Sequence, residues 1–236
     1  NFDFDMQSIH VIDNGYVDIS NSRFHNSKHG LKLENDASAT VRNGTIFEFC
    51  EKWSIIMSNK SKLNFFGSFI HQDKSTLVAM DDNAEAKFEQ STLRGFVINQ
   101  NQIALSAIEL NQYKSLDPRK GQPKPKPTEP HKCKLTLYKC QVLCFSDRAI
   151  NAADSAVIIQ ENTFSINSYS YITCHKSEVQ ILSNYFLNPN NPEFRNAISL
   201  FNCTGMVKMN YYSLNKAQFL SCNDKYVVQE NNVFVP

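Results

Sequence analysis

The sequence predicts an all-β chain wound into a parallel β-helix solenoid of about nine coils, carrying one inserted loop rich in proline and lysine. Three observations predict it. Apolar residues recur in columns at intervals of mostly 22–24 residues, the period of a stacked solenoid unit. Around them the chain alternates apolar and polar residues, as a strand with one buried face does. Small or turn-forming residues separate these stretches and leave too few positions for a helix.

The leading column runs Phe2, Phe24, Ile46, Ile70, Leu93, Val142, Phe164, Phe186, Leu214 and Phe234. Seven residues before each member from Phe24 onward stands a second: Val17, Ala39, Leu63, Ala86, Leu135, Val157, Val179, Val207 and Val227. Two residues further on stands a third: Ile19, Val41, Phe65, Phe88, Leu137, Ile159, Ile181 and Met209, broken only by Gln229. Ser22, Gly44, Ser68, Asn162 and Asn184 precede the column residue and read as the turn. A last alternating stretch closes many coils, at residues 31–33, 77–79, 103–105 and 198–200. Stacked coils pair each strand with its equivalent about 4.8 Å away.

Composition narrows the class. The 236 residues are 42% hydrophobic and 20% charged with a formal net charge of +1. That is too apolar for a disordered chain and too neutral for a dedicated nucleic-acid binder. No apolar run approaches the length of roughly 18 residues that a membrane span needs. Seven Gly stand against 17 Phe and 26 Asn, a skew that suggests an AT-rich genome. Seven cysteines, an odd number without a CxxC pair, fit a reducing compartment better than a disulfide scaffold. The expected location is cytoplasmic, with a large cytoskeletal or ciliary assembly as a plausible host. The sequons at Asn43, Asn59 and Asn202 are no more than chance supplies in so Asn-rich a chain. The chain opens on Asn1, so a removed leader stays open.

Both ends fall within a coil. Residues 1–14 read as the second half of a preceding coil, and 233–236 stop partway through one. Open solenoid ends expose strand edges, so the expectation is a segment of a longer protein, or partners covering the ends.

The insertion is placed at 109–132, which holds five of the eight prolines. Alternating proline over 117–127 favours an extended polyproline conformation. It is either a solvated loop or a docking arm, with Arg119, Lys120, Lys124 and Lys126 as the binding residues for an acidic protein surface or a phosphate-rich polymer. A shorter bulge at 188–192 accounts for the 28-residue gap between Phe186 and Leu214.

The period also suits leucine-rich repeats, but their L-x-x-L-x-L pattern is absent, as is the six-residue period of hexapeptide helices. What remains resembles the right-handed parallel β-helix of the pectin-lyase-like superfamily, including its CASH modules, over nearly the whole chain. That resemblance implies polysaccharide binding or cleavage, with acids from adjacent coils converging on one exterior groove. The candidate catalytic pair is Asp81 and Asp82, similar to the paired aspartates of polygalacturonases. The family's Asn-Thr-Asp one coil earlier is here Asn59-Lys60. Its Gly-His-Gly one coil later falls at 99–102, which holds no histidine. The pectate-lyase signatures are missing too. Asp81 and Asp82 otherwise read as part of a solvated charge ladder with Asp36, Lys60, Asp154 and Lys176.

His131, Cys133, Cys140 and Cys144 could be read as a zinc set, but their spacing is unlike compact zinc motifs and Cys140 falls in the small-residue column. Neither a metal nor a cofactor is expected. Cys174, Cys203 and Cys222 read as a stack of buried thiols. Arg23, His25 and His29 flank one turn as a further candidate cluster. The resulting expectation is a non-enzymatic scaffold for protein partners that cover the solenoid ends and the 109–132 loop, with no membrane and no nucleic acid. The alternative is a carbohydrate-binding or polysaccharide-cleaving module, with polysaccharide as the partner.

Overall fold

A computed structural model describes residues 7–72, 75–95, 106–111, 132–143, 145, 148–165, 170–187, 194, 196–213, 218–222 and 224–235. Among these residues the chain forms three parallel sheets of nine strands each and no helix. Each strand pairs with the strands three before and three after it, so one turn contributes one strand to each sheet. Nine strands give eight rung-to-rung steps, and the solenoid has about eight turns, slightly fewer than the nine expected. The first of the nine steps counted along the column, Phe2 to Phe24, begins outside the described residues.

The second sheet follows the alternation read from sequence. Val17, Ala39, Leu63, Ala86, Leu135, Val157 and Val179 stack in register. Two residues on, so do Ile19, Val41, Phe65, Phe88, Leu137, Ile159 and Ile181. Nearly all are buried, and each fully buried Val, Leu, Ile or Phe adds about 1.5–3 kcal/mol. In the third sheet, aromatic rings stack between rungs, as Phe24 on Phe47 (4.6 Å, 11°) and Phe164 on Phe186 (5.0 Å, 12°).

Three registers differ from the sequence reading. Phe47, not Ile46, follows Phe24 in the column. The buried corner is taken by Thr45, whose Oγ1 donates to the Arg42 carbonyl at 2.8 Å, while Gly44 takes the left-handed turn at φ 74°. Next, Gly205 and Val207 pair with Val179 and Ile181, so Val207 belongs one column later and Met209 stands outside at a left-handed turn. Gly205 is required there: at φ 125° a Cβ would lie 1.9 Å from the Val179 carbonyl oxygen. Tyr212 accordingly follows Phe186 and precedes Phe234, in place of Leu214. Finally, Val78 and Met80 pair with Ile55 and Met57, one residue later than the 77–79 reading.

The next strand of that first sheet is Ile108–Leu110, not 103–105. Glu109 and Leu110, assigned above to the insertion, are therefore part of the sheet. Residues 103–105, Phe2, Leu214 and the 188–192 bulge lie outside the described residues, as do residues 112–131.

The corner between the second and third sheets carries an asparagine ladder. Asn162, Asn184 and Asn210 are fully buried. Each Oδ1 accepts the backbone N–H one rung before it, from Cys140, Asn162 and Asn184, at 2.8–2.9 Å. Each Nδ2 donates to a carbonyl of that preceding rung, Leu137, Ile159 and Ile181, at 2.9–3.0 Å. Asn232 extends the series, accepting from Asn210 N at 3.0 Å. Upstream, Thr45, Ser68, Ser91 and Cys140 occupy the same corner, which accounts for the small-residue column.

Candidate functional site

The first sheet offers a continuous outer face. Its strands include His29–Leu33, Trp53–Met57, Val78–Met80, Arg148–Ala153, Ser170–His175 and Asn196–Phe201. Between inward-facing apolar neighbours, one outward row runs His10, Lys32, Ile56, Ala79, Glu109, Asn151, Thr173 and Ser199. Two grooves open along this face.

The upstream groove, about 320 Å³, is lined by Lys32, Glu34, Ser58, Asn59, Asp81 and Asp82 among others. Lys32 Nζ lies 2.9 Å and His10 Nε2 2.6 Å from the Glu34 carboxylate. Burial pushes that carboxyl up, but the bonds from Lys32 and His10 outweigh it and hold it below the ordinary value. Asp81 is buried, whereas Asp82 sits in a left-handed turn at φ 53°. The register aligns Asp82 with Asn59 and Asn35, one residue before Lys60 and Asp36. Those turns form an exterior ladder: Asn59 Nδ2 donates to Asn35 Oδ1 at 2.8 Å, and Asn35 Nδ2 to Asp13 Oδ1 at 2.7 Å. The alternating-charge ladder is thus replaced by a ladder of side chains suited to positive φ, a conformation that Asp154 and Lys176 share.

The downstream groove, about 330 Å³, is lined by Arg148, Ser170, Thr173, His175, Asn196, Ser199 and Phe201. His175 and Phe201 stack at 4.7 Å and 17° on adjacent rungs.

The Arg23, His25 and His29 cluster divides. Arg23 Nε donates to Glu48 Oε1, and His25 Nδ1 lies 3.8 Å from the same oxygen, on the outer face of the third sheet. The bond from Arg23 holds the nearly buried Glu48 carboxyl below its ordinary range. Glu48 stands 25 residues from Arg23, so no local motif could reveal it. His29 turns to the first sheet and stacks on Trp53 at 5.3 Å and 7°. Burial, aided by the charges of Lys52, Lys28 and Lys32, lowers its pKa to about 4.

Farther along the third sheet the outer face becomes apolar. Tyr185, Leu187, Met209, Tyr211, Val233 and Val235 are all exposed, and Tyr185 stacks on Tyr211 at 5.0 Å and 13°. Tyr185, Met209, Tyr211 and Val233 border a groove of about 650 Å³ edged by the Lys139–Glu161 ion pair (3.6 Å).

The suggested zinc set is not brought together by its described members. Cys133 donates to Asn111 Oδ1 (3.3 Å) before the second sheet, and Cys140 to the Tyr138 carbonyl (3.4 Å) after it. Burial pushes these thiols up to about 12 and about 11, leaving them protonated. His131 and Cys144 lie outside the described residues, as do Arg119, Lys120, Lys124 and Lys126. Among the described residues no group of three or more His, Cys, Asp or Glu is placed to hold a metal ion. Cys174 and Cys203 are buried in contact, with Cys203 Sγ 3.3 Å from the Cys174 carbonyl.

No protein-family model, no curated protein and no solved structure matches this chain.

Proposed function

We propose that the chain is a non-enzymatic scaffold that docks a protein partner along its side. The observation that carries this reading is the exposed apolar patch of Tyr185, Leu187, Met209, Tyr211, Val233 and Val235 on one face of a stiff solenoid. Contiguous apolar surface of this kind marks interaction sites, and tyrosine is enriched where such contacts form. The partner is a protein whose contact side is apolar and aromatic, held in a reducing, cytoplasmic setting that suits the unpaired thiols. A photo-crosslinking residue at Leu187 or Tyr211, introduced in the cells that make the protein, is expected to capture one discrete protein adduct. The same probe at Thr136 on the second sheet is expected to capture none. Adducts of equal yield from both faces, or none from either, would remove the proposal.

A second reading assigns the solenoid to the pectin-lyase-like type and makes the first-sheet face a carbohydrate surface. It is favoured by the upstream groove, where Glu34, Asp81 and Asp82 lie along the same face as the His29–Trp53 stack. Depolymerisation of a polysaccharide panel, abolished by Asp82→Ala, would support it; no cleavage and no retention on any glycan would end it.

A further inference from the structure

We propose, on the reading that a protein docks along the third sheet, that the groove there takes an uncharged, proline-rich segment of that partner in the polyproline II conformation. The groove runs between two rows of side chains. One is the turn row of Lys139, Glu161, Ser183, Met209 and Asn231, each in the left-handed region at φ 53–57°. Lys139, Glu161, Ser183 and Met209 donate their backbone N–H groups to the rung that follows at 3.0–3.1 Å, which stacks the turns. The other is the strand row of Tyr185, Tyr211 and Val233, which pair in register.

The dimensions favour an extended chain. Rungs about 4.8 Å apart make the turn row about 19 Å long, the span of about six residues at the polyproline II rise. Ser183 is two residues from Tyr185, Met209 from Tyr211, and Asn231 from Val233, so the two rows stand at most about 7 Å apart. A helix with its side chains is about 10–12 Å across, wider than that strip. A further β-strand has nothing to join on this face, because Tyr185–Leu187 and Tyr211–Tyr212 already pair with the strands on either side.

The chemistry agrees. A polyproline II chain has no internal hydrogen bonds and leaves its carbonyls open, whereas a helix consumes its own. Donors for such carbonyls line the groove: the Tyr185, Tyr211 and Ser183 hydroxyls and the Asn231 amide. The stacked tyrosines, at 5.0 Å and 13°, give proline rings an aromatic surface beside Met209 and Val233. Charge complementarity points to an uncharged occupant. Among the described lining residues the charged side chains are Lys139 and Glu161, and they pair with each other at 3.6 Å. That disfavours this chain's own residues 117–127 as the occupant. With three residues per turn, Arg119, Lys124 and Lys126 would fall on three different faces of a polyproline II helix, so a cation would always meet the groove.

Fluorescence anisotropy on the full chain tests this with three labelled peptides as probes. A peptide of Pro-Pro-Ala repeats is expected to bind saturably, and a peptide copying residues 117–127 about fivefold more weakly. An uncharged helical peptide of leucine, alanine and glutamine is expected not to bind. Tyr211→Ala and Tyr185→Ala should each weaken the Pro-Pro-Ala peptide about fivefold, with Lys87→Gln on the second sheet unchanged. No saturable binding of that peptide below about 1 mM overturns the proposal. So does equal affinity in wild type and in the folded tyrosine variants, or binding of either other peptide as tight as that of Pro-Pro-Ala. The photo-crosslinked adduct at Leu187 or Tyr211 keeps the two failures apart. A discrete adduct whose partner-side peptide lacks prolines would end the polyproline assignment and leave the docked protein standing, whereas the absence of any adduct would remove both.

Discussion

One corner of the solenoid is built in two ways. Upstream, Thr45, Ser68 and Ser91 turn their hydroxyls onto carbonyls two or three residues away, at 2.8–2.9 Å. They reach the neighbouring rung only at 3.3–3.5 Å. Downstream, Asn162, Asn184 and Asn210 bind the neighbouring rung at 2.8–3.0 Å through both ends of the amide. A hydroxyl satisfies its own turn, whereas an amide joins coils. The downstream turns should therefore unfold together, and the upstream turns should depend more on side-chain packing alone.

The largest expected effect comes from breaking the amide ladder at its middle. Asn184→Leu removes the acceptor for Asn162 N–H and the donor to the Ile159 carbonyl, both in the buried corner. Two unmatched polar groups should cost about 3–5 kcal/mol by urea unfolding. Ser91→Ala, at the equivalent upstream corner, should cost about 1 kcal/mol. Equal losses from the two variants would erase the distinction.

Gly205 tests whether the downstream half tolerates an ordinary interior residue where the ladder bends. Gly205→Ala places a methyl against the Val179 carbonyl and demands a left-handed φ. A loss of about 2–4 kcal/mol is expected, smaller if the Val179 strand can shift.

Acid should separate the halves differently. His29, in the upstream half, has a folded pKa near 4 against 6.5 for the ordinary imidazole. Between these values the unfolded chain binds the extra proton, so stability is full above pH 6.5 and falls as pH drops toward 4. His29→Phe keeps a ring on Trp53 without the proton, and its thermal midpoint should fall less than that of wild type between pH 7 and pH 4. Equal falls would assign the acid sensitivity to other groups.

Much of the fold was legible because its periodicity is carried by side chains that must be apolar. Val17 through Val179 could be placed by counting alone. The misreadings, Ile46 for Phe47 and Val207 for Gly205, fall where a turn gains residues and where backbone contact demands glycine. Hydrophobicity encodes neither constraint. The candidate sites were less legible. Glu48 meets Arg23, and Thr173 meets Ser199, across whole coils, and outward residues follow no pattern that a single chain displays. Asp82 was legible as an acid but not in its alignment with Asn35 and Asn59.

The smallest expected effect is the most diagnostic, because it uses the same amide chemistry outside the rod. Asn35 bridges Asn59 and Asp13 at 2.8 and 2.7 Å, distances as short as those of the interior ladder, but it is exposed. Water can replace each of its bonds, so burial rather than bond length should decide their worth. Asn35→Gly removes the amide while supplying a residue suited to φ 60°, so no strain replaces the lost contacts. The change in unfolding free energy should stay within about 0.5 kcal/mol, roughly a tenth of that for Asn184→Leu. A loss comparable to Asn184→Leu would mean that rung-to-rung amide bonds stabilise this solenoid wherever they occur, and the two builds of the corner would then differ in number of bonds rather than in kind.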